Sequence, residues 1–442
     1  MGRWGWGGVA LFAVGLVALV LDIPGLNVCW FLFGWTGWLL GVDAVIAARQ
    51  GHSLLAGRRR ELAAMLVVSV AYWTLFEFAN LRLANWYYVF LPRSPVWQAL
   101  YATAAFSTVL PACFFHAELL GALGIWADEP DEHQERRAAC PPPVVLEAAL
   151  LAFGSMCIAL PLLWPRQCFW MIWGAPLGIP LVLNARLGAP SLLDDLIRRR
   201  PNRLLRLLGG GVIAGGLWEG LNYWARAKWI YTVPGLESHK LFEMPWLGFV
   251  GFPVLAVASF EAYSLWCHVA RGGRHWQRLD TDQPPVLSRH RAIAMLGVVV
   301  FSVLASTLPL DPAVQARRPV LRDLPELDGD ARKMLVEEMV FTPESLVRMA
   351  PQLRRATARY NLPASTFDDA VQTAELMLHK GMGADGAAWL RSVGVRSMED
   401  LAGADPDALT TQLVTTPSTG RPITAPQVRV WVRAAHGGRS RR

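Results

Sequence analysis

The chain has 442 residues, of which 53% are hydrophobic and only 17% are charged, and it contains 20 Trp. This composition is too apolar for an ordinary soluble domain, so it indicates a protein embedded in a membrane. The net charge of +7 fits the same conclusion, because positive residues on short cytoplasmic loops are what membrane topology requires. We therefore do not expect nucleic-acid binding.

Apolar segments long enough to cross a bilayer, about 20 residues each, occur nine times in the chain. They lie at residues 5–23, 27–48, 61–82, 97–125, 144–163, 167–186, 205–225, 245–270 and 291–309. The first lacks a small-residue cleavage site and is followed at once by another span, so we expect it to be retained. The predicted fold class is all-α: a polytopic helical membrane protein with a small soluble α-helical C-terminal domain.

Basic residues set the expected orientation. Arginines cluster around residues 49–60, 186–206 and 271–291, in loops that alternate consistently with nine spans. By the positive-inside rule these loops face the cytoplasm. The N-terminus is then cytoplasmic, and the C-terminal domain lies on the outer, periplasmic side of the inner (plasma) membrane.

The two halves of the membrane region share one pattern of residues. It is found as Glu77, Asn80, Trp86 and Tyr88 in the first half, and as Glu219, Asn222, Trp229 and Tyr231 in the second. The Glu and Asn positions are each separated by 142 residues, as are Pro92 and Pro234, and Pro111 and Pro253. This register predicts a duplicated four-helix unit, in which both copies enter the membrane from the same side.

The repeat defines the predicted domains. They are membrane repeat 1 (1–126), a charged and proline-rich linker (127–143), membrane repeat 2 (144–271), a loop with the last span (272–310) and a soluble helical domain (311–442). Because the copies are parallel, both copies of the pattern are expected near the outer face.

Carboxyl groups within or beside the spans are the candidate catalytic groups: Glu219, Glu243 and Glu77. An acidic residue at the centre of a membrane helix costs about 2.5–3.5 kcal/mol and is expected to face a partner or a cavity. Each Asn lies three residues after its Glu, on the same helix face, where it could hydrogen-bond the carboxyl or a shared ligand. A structural alternative is that the Glu residues pair with Arg82 or Arg226.

Candidate substrate-binding residues surround these carboxyls. They are Asn80, Asn222, Trp86, Tyr88, Trp229, Tyr231, Tyr223 and Glu261. The alternative for the aromatic residues is that they anchor the spans at the membrane interface. The Cys and His residues show no metal-ligand spacing, so no metal or other cofactor is expected.

One segment resembles a known group of membrane enzymes. It comprises Trp218, Glu219, Asn222, Tyr223, Trp229, Tyr231, Gly248, Gly251 and Pro253, and it is similar to the membrane lycopene cyclase and carotenoid hydratase families. The resemblance implies a duplicated helical membrane protein that protonates an isoprenoid double bond without a metal. Those families have an acidic pair after the proline, whereas Val254 follows Pro253 here, so Glu243 and Glu261 would have to replace that pair.

The C-terminal region shows helix signals such as Thr342 followed by Pro343, which is typical of a capped helix start. Residues 360–435, with Gly381, Met382 and Gly383, resemble an accessory helix-hairpin-helix domain. In DNA-binding members the hairpin contacts phosphate. Acidic residues near the turns and an outer location favour a protein partner, or self-association, over nucleic acid here.

Three functions remain open from the sequence. The first is a membrane subunit or scaffold, with a lipid-facing Glu/Asn/aromatic site and an outer domain that recruits a partner. The second is an isoprenoid cyclase or hydratase that uses Glu219 or Glu243 as proton donor, with aromatic rings that stabilise a carbocation. The third is a transporter, although the sequence indicates no span that is broken in mid-membrane.

Overall fold

The computed structural model of the protein describes residues 2–23, 25–127, 141–236, 239–271, 313–360, 362–415 and 423–439, with single positions at 293, 297 and 300. These residues form a mostly helical protein with a few short strands. We call residues 2–271 the membrane region and residues 313–439 the C-terminal domain. Apart from those three single positions, the predicted ninth span and the loop before it lie outside the described residues, as does most of the predicted linker.

Eight helical segments in the described ranges are long and apolar enough to cross a membrane. They are Arg3–Val20, Asn27–Gln50, Arg59–Leu83, Pro95–Ala122, Val144–Leu163, Pro165–Leu187, Asn202–Trp224 and Trp246–Ala270. They coincide with the first eight predicted segments. The expectation of a helical protein is therefore confirmed, and its apolar helices are compatible with an integral membrane protein.

The helices of the membrane region are numbered in chain order. They are α1 (Arg3–Val20), α2 (Trp30–Gln50), α3 (Arg59–Leu83), α4 (Pro95–Ser107), α5 (Val109–Ala122), α6 (Val144–Leu163), α7 (Pro165–Cys168), α8 (Gly178–Leu187), α9 (Leu192–Ile197), α10 (Asn202–Trp224) and α11 (Gly251–Arg271). Short 3-10 turns occur at Asn27–Cys29, Phe169–Gly174 and Trp246–Val250.

Two of the eight segments are interrupted, which corrects the expectation of unbroken spans. The fourth divides into α4 and α5 at Thr108, and the sixth runs from α7 through the 3-10 turn Phe169–Gly174 into α8. Proline has no backbone N–H to donate to the preceding turn. Pro111 lies in the first turn of α5, and Pro176 and Pro180 flank the start of α8, so local chemistry accounts for both interruptions.

A three-stranded sheet lies where the sequence indicated only loops with interfacial aromatic residues. Its strands are β1 (Trp86–Leu91), β2 (Lys228–Tyr231) and β5 (Val314–Arg317), in the order β2-β1-β5. β1 follows α3 directly, and β2 follows α10. In the antiparallel β1–β2 pair, Trp86 lies opposite Tyr231 and Tyr88 lies opposite Trp229. A smaller antiparallel pair joins β3 (Lys240–Leu241) and β4 (Met244–Pro245).

The C-terminal domain packs its own helices around a separate apolar core that includes Leu346, Phe367 and Trp431. Its helices are α12 (Gly329–Glu337), α13 (Pro343–Ala356), α14 (Ala364–Leu378), α15 (Gly383–Ser392), α16 (Met398–Gly403), α17 (Pro406–Thr415) and α18 (Ala425–Arg439). Thr342 caps α13, since its hydroxyl accepts a hydrogen bond from the Ser345 N–H at 3.1 Å. The predicted start of that helix is thus confirmed.

The C-terminal domain is docked on the membrane region through the sheet. β5 belongs to the domain, yet it pairs in parallel with β1 of the membrane region. The glycine turn before α15 packs against the same strand: a Cβ on Gly381 would lie 2.0 Å from Val89 Cγ1. The turn at residues 381–383 therefore lies against the protein's own sheet.

Polar contacts add to this docking at the same end of the membrane helices. The Thr342 hydroxyl donates to Asp22 Oδ2 at 3.0 Å, just beyond the end of α1. Arg318 donates to Asn27 Oδ1 at 2.7 Å. The two regions are thus joined by a shared sheet and by hydrogen bonds between side chains.

Candidate functional site

Glu77 is the centre of the polar network in the first half of the membrane region. It lies near the end of α3 with no exposed surface. Its Oε1 accepts hydrogen bonds from the Tyr88 hydroxyl at 2.6 Å, from Trp73 Nε1 at 2.8 Å and from Trp86 Nε1 at 3.3 Å. One carboxyl oxygen therefore fixes three aromatic side chains from α3 and β1.

Glu219 has the matching position near the end of α10 and is also fully buried. Its Oε1 accepts hydrogen bonds from the Tyr231 hydroxyl at 2.9 Å and from Trp229 Nε1 at 3.4 Å. The Trp229 Nε1 also donates to the Tyr231 hydroxyl at 3.0 Å. The second half thus places a carboxyl behind two aromatic residues of β2.

In each carboxyl the second oxygen is buried and has no hydrogen-bond partner among the described atoms. Such an atom is costly, since desolvating a polar group without compensation costs about 1–3 kcal/mol. An unpaired oxygen in both Glu77 and Glu219 is therefore a feature that a ligand, a water molecule or a bound proton would relieve.

The Asn80 and Asn222 side chains do not bond the neighbouring carboxyl, which was one of the two partners expected for them. Instead, Asn80 Nδ2 donates to the Trp86 carbonyl at 2.9 Å, and Asn222 Nδ2 donates to the Trp229 carbonyl at 3.0 Å. Their Oδ1 atoms accept from backbone N–H groups, those of Asn85 and Trp229. Both side chains therefore join the helix end to the strand that follows it.

An aromatic pocket lies in front of the two carboxyl networks. It encloses about 890 Å³ of atom-free space, part of which is open to the outside. Its wall consists mainly of aromatic and aliphatic side chains, with Lys228 as its one charged residue. The aromatic members are Phe31, Trp73, Trp86, Tyr88, Tyr101, Phe106, Trp173, Trp218, Trp229, Tyr231 and Phe252.

The rings of the pocket contact one another across both halves. The Trp73 centroid lies 6.4 Å from that of Trp173 and 5.9 Å from that of Trp218. Trp218 in turn lies 5.9 Å from Trp229, and Trp173 lies 6.2 Å from Trp86. These separations are typical of favourable aromatic pairs, so the wall is a connected layer of rings.

The Tyr88 and Tyr231 side chains line the pocket and also bond the carboxyls behind it. Burial, together with the adjacent carboxyl groups, raises the pKa of both phenols well above 10. Both therefore keep their proton at neutral pH and act as hydrogen-bond donors. The tyrosines connect the pocket to Glu77 and Glu219.

Glu243 lies in the turn between β3 and β4 and is fully buried. It binds the Lys228 ammonium at 2.8 Å and the Lys380 ammonium of the C-terminal domain at 2.9 Å. Although burial opposes its charge, the two ammonium groups lower the pKa of this carboxyl to about 2. Glu243 is consequently ionised at neutral pH, which argues against the expected role as a proton donor.

The remaining predicted residues lie outside the pocket wall. The Tyr223 ring lies 5.5 Å from the Lys228 ammonium, and the Tyr223 carbonyl accepts a hydrogen bond from it at 3.2 Å. Glu261 is buried within α11, where it accepts from Asn184 Nδ2 at 2.7 Å and from the Leu192 N–H at 2.6 Å. Its contacts therefore join α11 to α8 and α9.

Two residues of the pocket wall, and one partner of Glu243, were not identified from the sequence. Trp173 belongs to the interrupted sixth segment, where Trp170 and Trp173 stand in an apolar run that carries no functional signal. Lys228 precedes Trp229 in the chain, and its position beside the repeated pattern was the available clue. Lys380 lies 137 residues from Glu243, so only the fold reveals that contact.

No three His, Cys, Asp or Glu side chains in the described ranges are grouped so that they could hold a metal ion. Comparisons of the chain with protein-family models, with characterised proteins and with solved structures found no significant match.

Proposed function

We propose that this chain is an integral membrane protein that binds an apolar, isoprenoid-type molecule in the aromatic pocket. The observation that carries the proposal is the pocket itself, whose wall is a connected layer of rings with two buried carboxyls behind it. Methyl-branched or conjugated chains offer the extended apolar surface that such a wall can bury.

The pocket lies where the two halves of the membrane region meet, which agrees with the predicted repeat. The antiparallel register pairs Trp86 with Tyr231, and it also pairs Trp229 with Tyr88. A two-fold rotation that exchanges the halves would convert the first pair into the second. This relation supports a parallel duplication, with its axis near the pair formed by Tyr87 and Ile230.

The position of the pocket supports an outer location. Helices α3 and α10 begin next to the arginine clusters and end at β1 and β2, beside the pocket. If the arginine-rich ends face the cytoplasm, then the pocket and the docked C-terminal domain face the outside. Labelling of a Ser392→Cys variant of a cysteine-free chain by an impermeant maleimide added to intact cells tests this orientation.

Mass spectrometry of small molecules extracted from gently purified protein tests the ligand proposal. We expect an isoprenoid in stoichiometric amount from the native protein and its loss from Trp173→Ala, which enlarges the pocket. Trp97→Ala is the matched control, because Trp97 is 65% exposed and lies outside the pocket wall. Extracts that contain only bulk phospholipid, in equal amounts for all three proteins, would refute the proposal.

Acid catalysis on the bound isoprenoid is a second candidate, supported by the unpaired carboxyl oxygens. A protonated Glu77 or Glu219 could pass a proton to the Tyr88 or Tyr231 hydroxyl, which lines the pocket, while that hydroxyl gives its own proton to a carbon–carbon double bond. The double bond becomes a carbocation, and the aromatic wall would stabilise the positive charge. Loss of a neighbouring C–H proton back through the same hydroxyl to the carboxylate would restore the acid and complete an isomerisation or cyclisation. Positioned acids contribute about 10²–10⁴-fold to such a rate.

The test of catalysis is conversion of isoprenoid substrates by the purified protein in lipid. Glu219→Gln keeps the size of the side chain but removes its acid, so we expect turnover to disappear while the protein still inserts. Glu243→Gln serves as the comparison, because Glu243 is already ionised. Equal turnover in the native protein and in a Glu77→Gln, Glu219→Gln double variant would exclude catalysis by these carboxyls.

Recruitment of a protein partner by the C-terminal domain is supported by a different observation. Val336, Met339 and Phe341 expose 56%, 71% and 50% of their surface on this domain. Co-purification of a stoichiometric partner that is lost in Met339→Asp would support a scaffold. The interrupted fourth and sixth segments are the feature that favours a transporter, and substrate flux into proteoliposomes would test that alternative.

A further inference from the structure

One layer of strands separates the aromatic pocket from the C-terminal domain. Successive side chains of a strand face opposite sides of its sheet. On β1, Trp86 and Tyr88 belong to the pocket wall. Tyr87 and Val89, which alternate with them, belong to an apolar cluster that includes Val430 of the domain. The same strand therefore carries rings of the pocket on one side and supports the domain on the other.

A turn of the C-terminal domain rests on the domain side of this layer. It comprises residues 379–383, between α14 and α15, and we call it the docking turn. The Tyr87 hydroxyl donates to the Lys380 carbonyl at 3.2 Å. A Cβ on Gly381 would lie 2.0 Å from Val89 Cγ1, so no side chain fits between the turn and the strand. The backbone of the docking turn is thus in direct contact with β1.

The backbone of the docking turn has an uncommon conformation. Lys380 has a φ of +46°, and Gly381 and Gly383 have φ angles of +71° and +70°. A positive φ is uncommon for a residue other than glycine, and it persists where the surrounding contacts hold it. Lys380 is held at both ends, since its carbonyl bonds Tyr87 and its ammonium binds Glu243.

The Lys380 side chain connects the docking turn to the edge of the pocket. Its ammonium lies 2.9 Å from both oxygens of the buried Glu243 carboxylate. Oε1 of this carboxylate lies 2.8 Å from the Lys228 ammonium. Lys228 belongs to the pocket wall, together with Met244, which follows Glu243 in the chain. These contacts join the domain to the wall by a second route, independent of β1.

Undocking of the domain would remove support from the pocket wall along both routes. β1 and β2 would remain as a two-stranded pair, which is only marginally stable by itself. Tyr87 and Val89 would lose their apolar cover, and Glu243 would lose one of its two ammonium partners. A ligand that binds to such a relaxed wall must itself order the rings, and that ordering reduces its affinity.

We propose that docking of the C-terminal domain and ligand binding in the pocket are coupled, because the docked domain holds β1 and Lys228 in the positions that the ligand needs. This inference rests on the proposed ligand-binding function and adds its regulation. Lys380 is a positioning residue, since it acts on the wall through Glu243. Coupling between two sites is reciprocal, so a ligand in the pocket must strengthen docking by the same factor.

The affinity of a defined isoprenoid tests the effect of docking on the pocket. The full-length protein is placed in nanodiscs of phosphatidylcholine. Retinol, a conjugated C20 isoprenoid alcohol, quenches tryptophan fluorescence when it binds close to the rings. Empty nanodiscs correct for retinol that is dissolved in the lipid.

Two pairs of variants locate the effect. Gly381→Leu places a side chain where Val89 lies and should undock the turn, so that retinol binds at least about fivefold more weakly, the lower end of typical coupling between sites. Gly394→Leu is the control, since Gly394 also has a positive φ but nothing lies within 4 Å of its added Cβ. Lys380→Gln should weaken binding through Glu243, whereas Lys380→Arg keeps the charge and should retain most of the affinity.

The reciprocal measurement needs no substitution. Saturating retinol should slow hydrogen exchange of the β5 amides in the native protein by at least about fivefold, because it favours the docked state. Amides of α17, which packs on α18 within the domain, are the internal control and should exchange at the same rate with and without retinol. A merely structural role of the docking turn would leave the β5 exchange unchanged by retinol.

The outcomes separate this inference from the function on which it rests. If retinol bound Gly381→Leu as tightly as the native protein and left the β5 exchange unchanged, the coupling would be overturned and the ligand-binding proposal would stand. Equal weakening in Gly394→Leu would assign the loss to general damage of the domain and would also overturn the coupling. If Gly381→Leu does not fold, the β5 exchange of the native protein decides alone. Failure of retinol to bind the native protein would overturn both proposals.

Discussion

The two carboxyl networks of the membrane region differ in how completely their aromatic neighbours are bound. Glu77 accepts three hydrogen bonds, whereas Glu219 accepts two, one of them at 3.4 Å. Trp73 accounts for the difference, because the residue 142 positions after it is Gly215. There the Phe252 ring occupies the space, since a Cβ on Gly215 would lie 2.2 Å from Phe252 Cγ.

This difference between the networks indicates that the first half contributes mainly to stability and the second mainly to ligand binding. The first network is more closed, and the sheet strand beside it, β1, also binds the C-terminal domain. The second network is looser and lies beside the buried Glu243, which pairs with Lys228 and Lys380. We therefore expect changes in the first half to affect stability most, and changes in the second half to affect ligand binding most.

The largest expected effect is on the free energy of unfolding when one of the two carboxyls is removed. Glu77→Ala leaves three buried donors without their acceptor and should lower the free energy of unfolding by about 3–5 kcal/mol. Glu219→Ala should cost roughly half as much, because Trp229 can still donate to the Tyr231 hydroxyl. Unfolding of both variants in detergent micelles measures the difference, and equal losses would contradict the division of roles.

A second prediction concerns docking of the C-terminal domain on the first half. Gly381→Ala should displace the turn from Val89 and destabilise the docked domain by about 1–3 kcal/mol, as overpacking does. The rate of proteolysis within residues 313–382 measures the destabilisation, and we expect it to increase. Gly394→Ala is the control, because Gly394 also has a positive φ, +91°, but nothing within 4 Å of its added Cβ; equal sensitivity in both variants would exclude the contact as the cause.

A third prediction is a pH dependence of the same docking. Burial lowers the pKa of His379 from 6.5 to about 4, while its Nε2 lies 2.8 Å from the Trp431 carbonyl. The unfolded domain takes up a proton below pH 6.5 that the folded domain does not, so stability is fully present above pH 6.5 and decreases as the pH falls towards 4. The loss should reach about 1.4 kcal/mol per pH unit at most.

Hydrogen exchange of the β5 amides between pH 7 and 5 measures that loss. Glu243 stays ionised across this range because its pKa is about 2, so its contact with Lys380 should persist. His379→Asn should make the protection nearly independent of pH. A pH dependence that is the same in the variant would assign the effect to another group.

The smallest effect on stability is expected for the exposed ion pair between the first half of the membrane region and the C-terminal domain. Arg93 pairs with Asp323, but the Arg93 side chain is 38% exposed. Ion pairs of this kind typically contribute about 0–1 kcal/mol, so Arg93→Gln should change unfolding only slightly. A loss as large as that of Gly381→Ala would show that this pair, rather than the glycine turn, secures the domain.

Apolar length and composition were sufficient to locate the first eight spans, and the Glu and Asn positions were recognisable from their spacing. The strand β1 was not, because Trp86 and Tyr88 at the end of a span have the composition of interface anchors. The hydrogen bond from Asn80 to the Trp86 carbonyl was missed for the same reason, because Trp86 belongs to a strand that the sequence did not predict. The pocket requires residues from α2, α3, α4, α10 and the interrupted sixth segment, and local patterns do not encode such long-range contacts.

The pairing of β5 with β1 also has a consequence for how the chain is made. Translation completes β1 at residue 91 and β2 at residue 231, but β5 begins only at Val314. Throughout synthesis of the remaining helices, one edge of β1 has no strand beside it. A ribosome-bound or prematurely terminated chain would present that edge to other chains, where unpaired strand edges promote association. Insertion of the helices and completion of the sheet are therefore separate steps in biogenesis, and the second depends on the arrival of the chain's last third.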